Sequence, residues 1–225
     1  MTPIQLNELY QQSQSVQAMI QYIEQCRQAP QRTLIGLTGG PGSGKSSLAT
    51  YLAEHFAHQE NALAALSMDG FHLTKAQLAE RPDAEHAIAR RGAPWTFDSQ
   101  GFVTAVNNIR GSYQTHDLKW PSFDHQQGDP VLDALSIGKQ TKVVLIEGLY
   151  LLHQDDGWQD AAALFDQHWF LDVPVELAIE RLAKRHMQAW GFSHQQAMDR
   201  INASDGLNAR LVESYKGKVD RLISL

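Results

Sequence analysis

Short apolar runs alternate with longer segments of helical periodicity along most of the chain. The runs lie at 33–38, 62–68, 142–148 and 168–173, with a weaker one in the closing letters DRLISL. Uninterrupted apolar runs of this length are typical of strands buried on both faces of a parallel sheet. Apolar residues that recur at three and four positions predict helices at 44–58, 98–110, 174–190 and 194–215. The alternation predicts an α/β fold, with a parallel β-sheet sandwiched by helices.

Two further segments stand outside that alternation. Residues 3–28 carry apolar side chains near one face and glutamines on the other, which predicts an amphipathic N-terminal helix within 1–30 that docks against the domain. Residues 74–96 are polar and interrupted by prolines, which predicts an insertion over the functional face. The length and the lack of an internal repeat favour a single domain spanning 1–225.

Four glycines fall within six residues in the stretch GLTGGPGSGKSS, between a predicted strand and a predicted helix. Such a cluster indicates that something must approach the main chain closely. The spacing of Gly39, Gly44, Lys45 and Ser46 is that of a phosphate-binding loop (Walker A), whose amides and helix amino end cradle phosphate oxygens. In such a loop Lys45 reaches the β and γ phosphates and Ser46 holds Mg²⁺. The predicted nucleotide-binding residues are Gly39, Gly40, Pro41, Gly42, Ser43, Gly44, Lys45, Ser46 and Ser47.

Two acidic residues follow other predicted strands. Asp69 comes directly after the run at 62–68, and Glu147 closes the run at 142–148. Ligands of open α/β sheets bind outside the carboxyl ends of the strands, where both acids are expected. Asp69 could instead be the first residue of a turn, and Glu147 a structural ion-pair partner. If both face the loop, Asp69 can accept a proton from a hydroxyl while Glu147 orients Mg²⁺ or its waters, as in a kinase.

Composition narrows the cellular setting. The single cysteine, Cys26, excludes an intrachain disulfide and a thiol-based metal cluster, which fits a reducing compartment. The amino terminus has no basic start with an apolar core, and no run of 18 apolar residues occurs. We therefore expect a soluble, unsecreted, cytoplasmic protein without a membrane partner. A formal net charge of −6 disfavours a nucleic-acid partner.

Six segments together resemble the P-loop small-molecule kinases, the family of uridine kinase, phosphoribulokinase and bacterial pantothenate kinase. They are GGPGSGKS, SMDGFHL, RRGAPWTFD, KWPSFDH, LIEGLYLL and LAIERLAKRH, and the similarity runs from about Arg32 to the end. The resemblance implies a P-loop NTPase fold with a lid region at 176–200, and ATP and Mg²⁺ as cofactors. The DGFH and RRGAPWTFD combination, with NARLV, looks closest to a poorly assigned subgroup that includes sugar and nucleoside kinases.

The resemblance also implies roles for individual residues. Asp69 matches the catalytic base, and Glu147 matches the carboxylate that closes the Walker-B-like strand and serves the metal with Ser46. Basic residues of the lid helix close on the phosphates in this family, and Arg181 and Arg185 are the matches here. With Lys45, they are expected to stabilise the transferring group.

The acceptor side is implied by two other elements. The family's Pro-x-aromatic-x-His element maps onto Pro121, Phe123 and His125, and the segment from Gly92 to Asp98 resembles the substrate-side loop of the pantothenate kinase branch. The residues expected around the acceptor are Phe71, His72, Arg90, Arg91, Trp95, Phe123 and His125. The two arginines suit a carboxylate or phosphate on the acceptor, but they could equally cap or solvate a short helix. The two large aromatics, Trp95 and Phe123, could equally be ordinary core.

The function predicted from these features is transfer of the γ-phosphoryl group of Mg-ATP to a hydroxyl of a small metabolite. A nucleoside, a pantothenate-like molecule and a sugar or sugar acid all remain open as acceptors. The alternative is a nucleotide-dependent regulatory or binding protein with slow ATPase activity. A regulatory GTPase is disfavoured because the guanine-reading Asn-Lys-x-Asp element is absent from the sequence. The expected partner is the small-molecule hydroxyl acceptor, and a homodimer is the assembly considered.

Overall fold

The strands of the computed structural model, which describes residues 3–225, form one parallel sheet and one hairpin. They are β1 (Thr33–Thr38), β2 (Leu63–Ser67), β3 (Leu118–Asp124), β4 (Asp129–Ile137), β5 (Val143–Gly148), β6 (Gln167–Asp172) and β7 (Arg221–Ser224). The sheet has the spatial order β2-β5-β1-β6-β7, and every neighbouring pair in it is parallel. Each apolar run of the sequence is one of its strands, so the predicted fold class is confirmed.

Helices cover both faces of this sheet. They are α1 (Pro3–Gln12), α2 (Gln14–Cys26), α3 (Lys45–His55), α4 (Lys75–Ala79), α5 (Ala84–Ala89), α6 (Ser99–Gly111), α7 (Val175–Trp190), α8 (His194–Ala203) and α9 (Asp205–Glu213). The helix predicted at 194–215 is interrupted at Ser204, where α8 ends and α9 begins. Among residues 3–225, no helix combines the length and the apolar character needed to cross a bilayer.

The predicted N-terminal helix at 3–28 is two helices. The Ser13 side chain accepts a hydrogen bond from the Val16 amide at 3.4 Å, so Ser13 caps the start of α2. The apolar periodicity continues across the break, which conceals it in the sequence. Tyr10 of α1 is buried against Tyr51 of α3, with ring centroids 4.9 Å apart. The pair of helices therefore docks against the domain as predicted.

Side chains of the central strands alternate between two apolar cores. Ile35 and Leu37 of β1 face the core shared with α2 and α3, whereas Leu34 faces the core shared with α6. On β5, Val144 and Ile146 join Leu34 on the α6 side. Because both faces of each central strand are buried, nearly every residue along it is apolar. This is why the sequence shows continuous apolar runs rather than alternation.

A β-hairpin that the sequence analysis did not predict lies over the end of β2. Strands β3 and β4 pair antiparallel, and β3 passes over the short 3₁₀ turn Met68–Phe71 that follows β2. The indole Nε1 of Trp120 donates to the Ser67 carbonyl at 2.9 Å. A side chain at Gly70 would collide with the carbonyl oxygen of Pro121. The hairpin is thereby fixed against the turn that carries Asp69.

One buried arginine joins three parts of the fold. Arg32, just before β1, is 2% exposed, and its guanidinium donates to the carbonyl oxygens of Thr141 at 2.8 Å, Ile109 at 2.7 Å and Gly138 at 2.7 Å. These carbonyls belong to the end of α6 and to the turn before β5. Burial lowers the pKa of the Arg32 guanidinium. Its network of hydrogen bonds offsets that cost and provides donors for carbonyl oxygens of two other segments.

We expect Arg32→Met to destabilise the fold by about 3 kcal/mol, because the hydrogen bonds of the buried guanidinium to Thr141, Ile109 and Gly138 are all lost. Urea unfolding measures the change. The control is Arg110→Met on α6, where an exposed arginine pairs with Asp166 at 3.0 Å and should contribute less than about 1 kcal/mol. Equal losses from both variants would contradict the structural role given to Arg32.

Candidate active site

The loop between β1 and α3 leaves room beside its main chain. Gly42 and Gly44 have positive φ angles of 77° and 95°, which favour glycine. A Cβ at Gly42 would lie 2.5 Å from the Ala178 carbonyl oxygen of α7, so the loop packs closely on that helix. Cβ atoms built at Gly40 or Gly44 would meet no atom within 4 Å. The loop is therefore supported by α7 at Gly42 and open beside Gly40 and Gly44.

Polar groups in this loop lack partners within residues 3–225. The hydroxyl oxygens of Ser43 and Thr38 are buried there without a hydrogen bond. Buried polar atoms are nearly always paired in proteins, so these two hydroxyls have hydrogen-bonding capacity left for a further group. The amino end of α3 adds its partial positive charge at the same point. Orphaned hydroxyls, open glycines and a helix amino end fit the phosphates of a nucleotide.

The carboxylate of Glu147 is held against the start of α3. Ser46 Oγ donates to Glu147 Oε1 at 3.0 Å, and Lys45 Nζ lies 3.9 Å from Oε2. The residue is 5% exposed, and its burial raises the pKa of the carboxyl, while the Lys45 ammonium opposes that rise. A buried anion is costly unless a cation compensates it. A carboxylate beside a hydroxyl and a phosphate loop supplies oxygen ligands of the kind that Mg²⁺ takes.

The carboxylate of Asp69 lies in the 3₁₀ turn after β2. Its amide donates to Ser67 Oγ at 3.1 Å, and the same hydroxyl is hydrogen-bonded to the Glu147 carboxylate. Ser67 thus links the two acidic positions, a role that the sequence analysis missed although a serine two residues before an aspartate signals a local cap. Asp69 and Glu147 line one cavity of about 280 Å³. Its other lining residues are Ser46, Ala49, Thr50, Ala65, Leu66, Ser67, Pro121, Ser122, Phe123, His125 and Leu135.

Three of the predicted acceptor residues lie at or beside this cavity. Phe123 and His125 of the hairpin line it. His72 is not among the lining residues but packs against Phe123, with the two ring centroids 4.6 Å apart. Its Nδ1 donates to the Asp69 carbonyl oxygen at 2.8 Å, and its ring centroid lies 4.0 Å from that of Phe97. Burial lowers the pKa of His72. The neutral imidazole therefore joins the turn that carries Asp69 to the rings of Phe97 and Phe123.

Two predicted acceptor residues lie elsewhere. The Phe71 ring packs edge-on against Phe102 at 5.3 Å and Trp120 at 4.9 Å, in the core under the hairpin. Trp95 stacks on His86 at 5.3 Å within the insertion. Neither residue is among those that line the cavity. Their aromatic character is used for packing, the alternative that the sequence analysis left open for Trp95.

Arg91 ties the insertion to the hairpin. One terminal nitrogen donates to the Leu73 carbonyl at 2.8 Å and to Asp129 Oδ1 at 2.7 Å, and the other donates to the Gly128 carbonyl. Its guanidinium lies 5.5 Å from the Phe123 ring centroid. The arginine therefore lies behind Phe123, with both terminal nitrogens bonded within the protein and its buried Nε without a partner among the described residues.

The lid region contacts the phosphate loop. Arg181 of α7 donates to the Ser43 carbonyl at 3.2 Å, whereas Arg185, one turn further along, is exposed. Arg90 of the insertion reaches the end of α8 and donates to the Ala203 carbonyl at 2.7 Å. The structure thus brings Arg181 to the loop, leaves Arg185 exposed, and does not place Arg90 among the residues that line the cavity.

The comparisons with known proteins agree with this geometry. Residues 34–220 match the family model of the Phosphoribulokinase / Uridine kinase family. The chain belongs to this family. It is 37% identical over 186 residues to a candidate uridine kinase of Schizosaccharomyces pombe, covering 81% of this chain and 79% of that protein. It is 43% identical over 145 residues to an ATP-dependent kinase-like protein of Aspergillus versicolor, covering 63% of this chain and 84% of that one.

A solved structure shows the same fold. A candidate fructose transport system kinase from Silicibacter sp. TM1040 superposes with a TM-score of 0.80 at 32% identity, covering 91% of this chain and 97% of that one. The resemblance stated from the sequence motifs is therefore confirmed, and the protein is a P-loop kinase of this family.

The buried carboxyl of Glu147 should destabilise the nucleotide-free protein at neutral pH. Because burial raises its pKa, the ionised form costs free energy above the folded pKa, and the cost vanishes once the carboxyl is protonated at low pH. We expect Glu147→Gln to unfold at a higher urea concentration than the wild type at pH 8. The gap should narrow as the pH falls towards 4.5.

The matched control is Glu180→Gln, which changes an exposed carboxyl on α7 and should shift the urea midpoint little at either pH. A Glu147→Gln variant that is less stable than the wild type at pH 8, or a gap that does not depend on pH, would contradict the cost assigned to this carboxylate.

Proposed function

We propose that this protein is an ATP-dependent kinase that transfers the γ-phosphoryl group of Mg-ATP to a hydroxyl of a small metabolite. The supporting observation is that Asp69 and Glu147 line one cavity directly beside the phosphate loop. In this proposal Glu147 serves the metal and Asp69 serves the acceptor. A second carboxylate beside the loop supports a kinase over a nucleotide-binding protein without an acceptor.

The donor side is formed by the loop and the start of α3. The loop amides and the Ser43 hydroxyl would bind phosphate oxygens, and Lys45 would reach the β and γ phosphates. Ser46 and Glu147 would hold Mg²⁺, which when bound neutralises negative charge on the phosphates. The 3.0 Å contact between those two side chains already brings their oxygens together.

The acceptor side is formed by the turn after β2 and by the hairpin. An acceptor hydroxyl in the cavity would give its proton to Asp69 while its oxygen forms a bond to the γ-phosphorus. The bond between that phosphorus and the bridging oxygen breaks, and ADP leaves. Phe123 and His125 would orient the acceptor for this in-line transfer.

The lid supplies charge and excludes water. Arg181 already contacts the loop at the Ser43 carbonyl, and movement of α7 would bring the exposed Arg185 towards the phosphates. Guanidinium groups stabilise the charge that spreads over the transferring group. Closure would also suppress hydrolysis in place of transfer.

Asp69→Asn should lower phosphoryl transfer by about 10²-fold or more, because the amide cannot accept the hydroxyl proton. Nucleotide affinity should change little, since Asp69 lies on the acceptor side of the cavity. A coupled assay of ADP release and calorimetry of nucleotide binding measure the two effects. The control is Asp160→Asn, an exposed aspartate in the loop after β5, which should leave both unchanged.

Normal turnover in Asp69→Asn would refute the assignment of the base. Slow ADP release that no acceptor increases, in the wild type, would favour the nucleotide-dependent binding protein instead.

A further inference from the structure

The two arginines that could bind an anionic acceptor are committed within the protein. The Arg91 side chain is 16% exposed and forms an ion pair with Asp129 at 2.7 Å, and its two terminal nitrogens also donate to the backbone carbonyls of Leu73 and Gly128. Its Nε is buried and has no partner among the described residues. Arg90 donates to the carbonyl of Ala203 and lies 3.4 Å from the side-chain oxygen of Asn208. To bind the terminal nitrogens of either arginine, a carboxylate or phosphate on the acceptor would have to displace one of these partners, and neither arginine lines the cavity.

The tie through Asp129 is reinforced from a second direction. The Lys75 amide donates to the same Asp129 oxygen at 2.9 Å, and Lys75 Nζ donates to the Gln127 carbonyl at 2.6 Å. The cation of Arg91 is therefore neutralised by an anion that the insertion and the hairpin share. If Arg91 left Asp129 to bind a ligand, the hairpin that carries Phe123 would lose this contact with the insertion.

The charges that the cavity itself presents are negative. Asp69 and Glu147 are its carboxylates, and His125 is the titratable base among its lining residues. The remaining polar lining consists of hydroxyl groups, and the apolar lining includes the flat ring of Phe123. Among the described residues that line this cavity, none is lysine or arginine. An anionic group brought here would face two carboxylates of like charge.

We infer that the phosphate acceptor is an uncharged polyhydroxylated metabolite, a sugar, polyol or nucleoside, rather than a carboxylate or a phosphorylated molecule. This inference rests on the proposed kinase function. Hydroxyls of Thr50 and Ser122 and the imidazole of His125 can hydrogen-bond acceptor hydroxyls, and Phe123 can cover an apolar ring face. The cavity volume of about 280 Å³ suits a molecule of this size.

The test compares acceptors that differ by one anionic group. Purified full-length protein with Mg²⁺ and ATP is given glycerol or glycerate, sorbitol or gluconate, pantothenol or pantothenate, fructose or fructose 6-phosphate, and uridine or its monophosphate. A broader set of neutral sugars, polyols and nucleosides accompanies the pairs. ADP release and the mass of the phosphorylated product are recorded for each.

We expect a neutral acceptor to be phosphorylated with a kcat/KM at least about tenfold above that of its anionic counterpart. Transfer to an anionic acceptor at an equal or higher kcat/KM overturns the inference and leaves the kinase function intact. Nucleotide binding without transfer to any acceptor overturns the kinase function and the acceptor class together.

A variant that adds a positive charge to the cavity tests independently whether cavity charge selects the acceptor. Thr50→Lys places an ammonium in the lining from α3, and Thr50→Met adds a side chain of similar length without charge. We expect the lysine variant to raise the ratio of anionic to neutral turnover at least about fivefold, because it supplies the missing cation. The methionine variant should leave that ratio near the wild-type value.

If either Thr50 variant does not unfold cooperatively on heating, the same comparison is made with Ser122→Lys and Ser122→Met, which change a cavity residue of the hairpin. Equal ratios in the lysine and methionine variants would contradict the claim that cavity charge selects the acceptor.

Discussion

The site depends on one costly arrangement, the burial of the Glu147 carboxylate beside the start of α3. Strand β5 lies next to β1 in the sheet, so its end meets the phosphate loop, and the Ser46 hydroxyl and the Lys45 ammonium hold the carboxylate there. Strand β2 flanks β5 on its other side, which brings the turn carrying Asp69 to the same edge. A parallel sheet in this order brings Glu147 and Asp69 together at the carboxyl ends of neighbouring strands.

Most of the fold could be predicted because its central strands are buried on both faces and therefore apolar throughout. The features that escaped prediction have weaker signals. The hairpin strand β4 is exposed over most of its length and lacks a core face with regular alternation. The break at Ser13 depends on a single capping hydroxyl within an unbroken apolar period. A second break, at Ser204, separates α8 from α9 without a capping hydrogen bond from its side chain.

The positions of some predicted site residues follow from the strand-loop-helix pattern. The loop glycines lie between β1 and α3, Lys45 is the first residue of α3, and Glu147 lies against the start of that helix, as the pattern predicts. Acceptor residues were harder to assign, because aromatic and basic side chains serve packing and catalysis alike. Phe71 packs in the core. Arg91 forms an ion pair with Asp129, which lies 38 positions away along the chain and which no local sequence pattern connects to it. Such pairings depend on the tertiary fold rather than on sequence spacing.

The most direct test of this account is the Mg²⁺ dependence of nucleotide affinity, measured by calorimetry with a non-hydrolysable ATP analogue. Titrations are run with excess Mg²⁺ and with a chelator, on the wild type and on Glu147→Gln. If Glu147 holds the metal against the phosphates, Mg²⁺ should tighten binding at least about tenfold in the wild type, and much of that gain should be lost in the variant. The same gain from Mg²⁺ in both proteins would contradict the role assigned to the buried carboxylate.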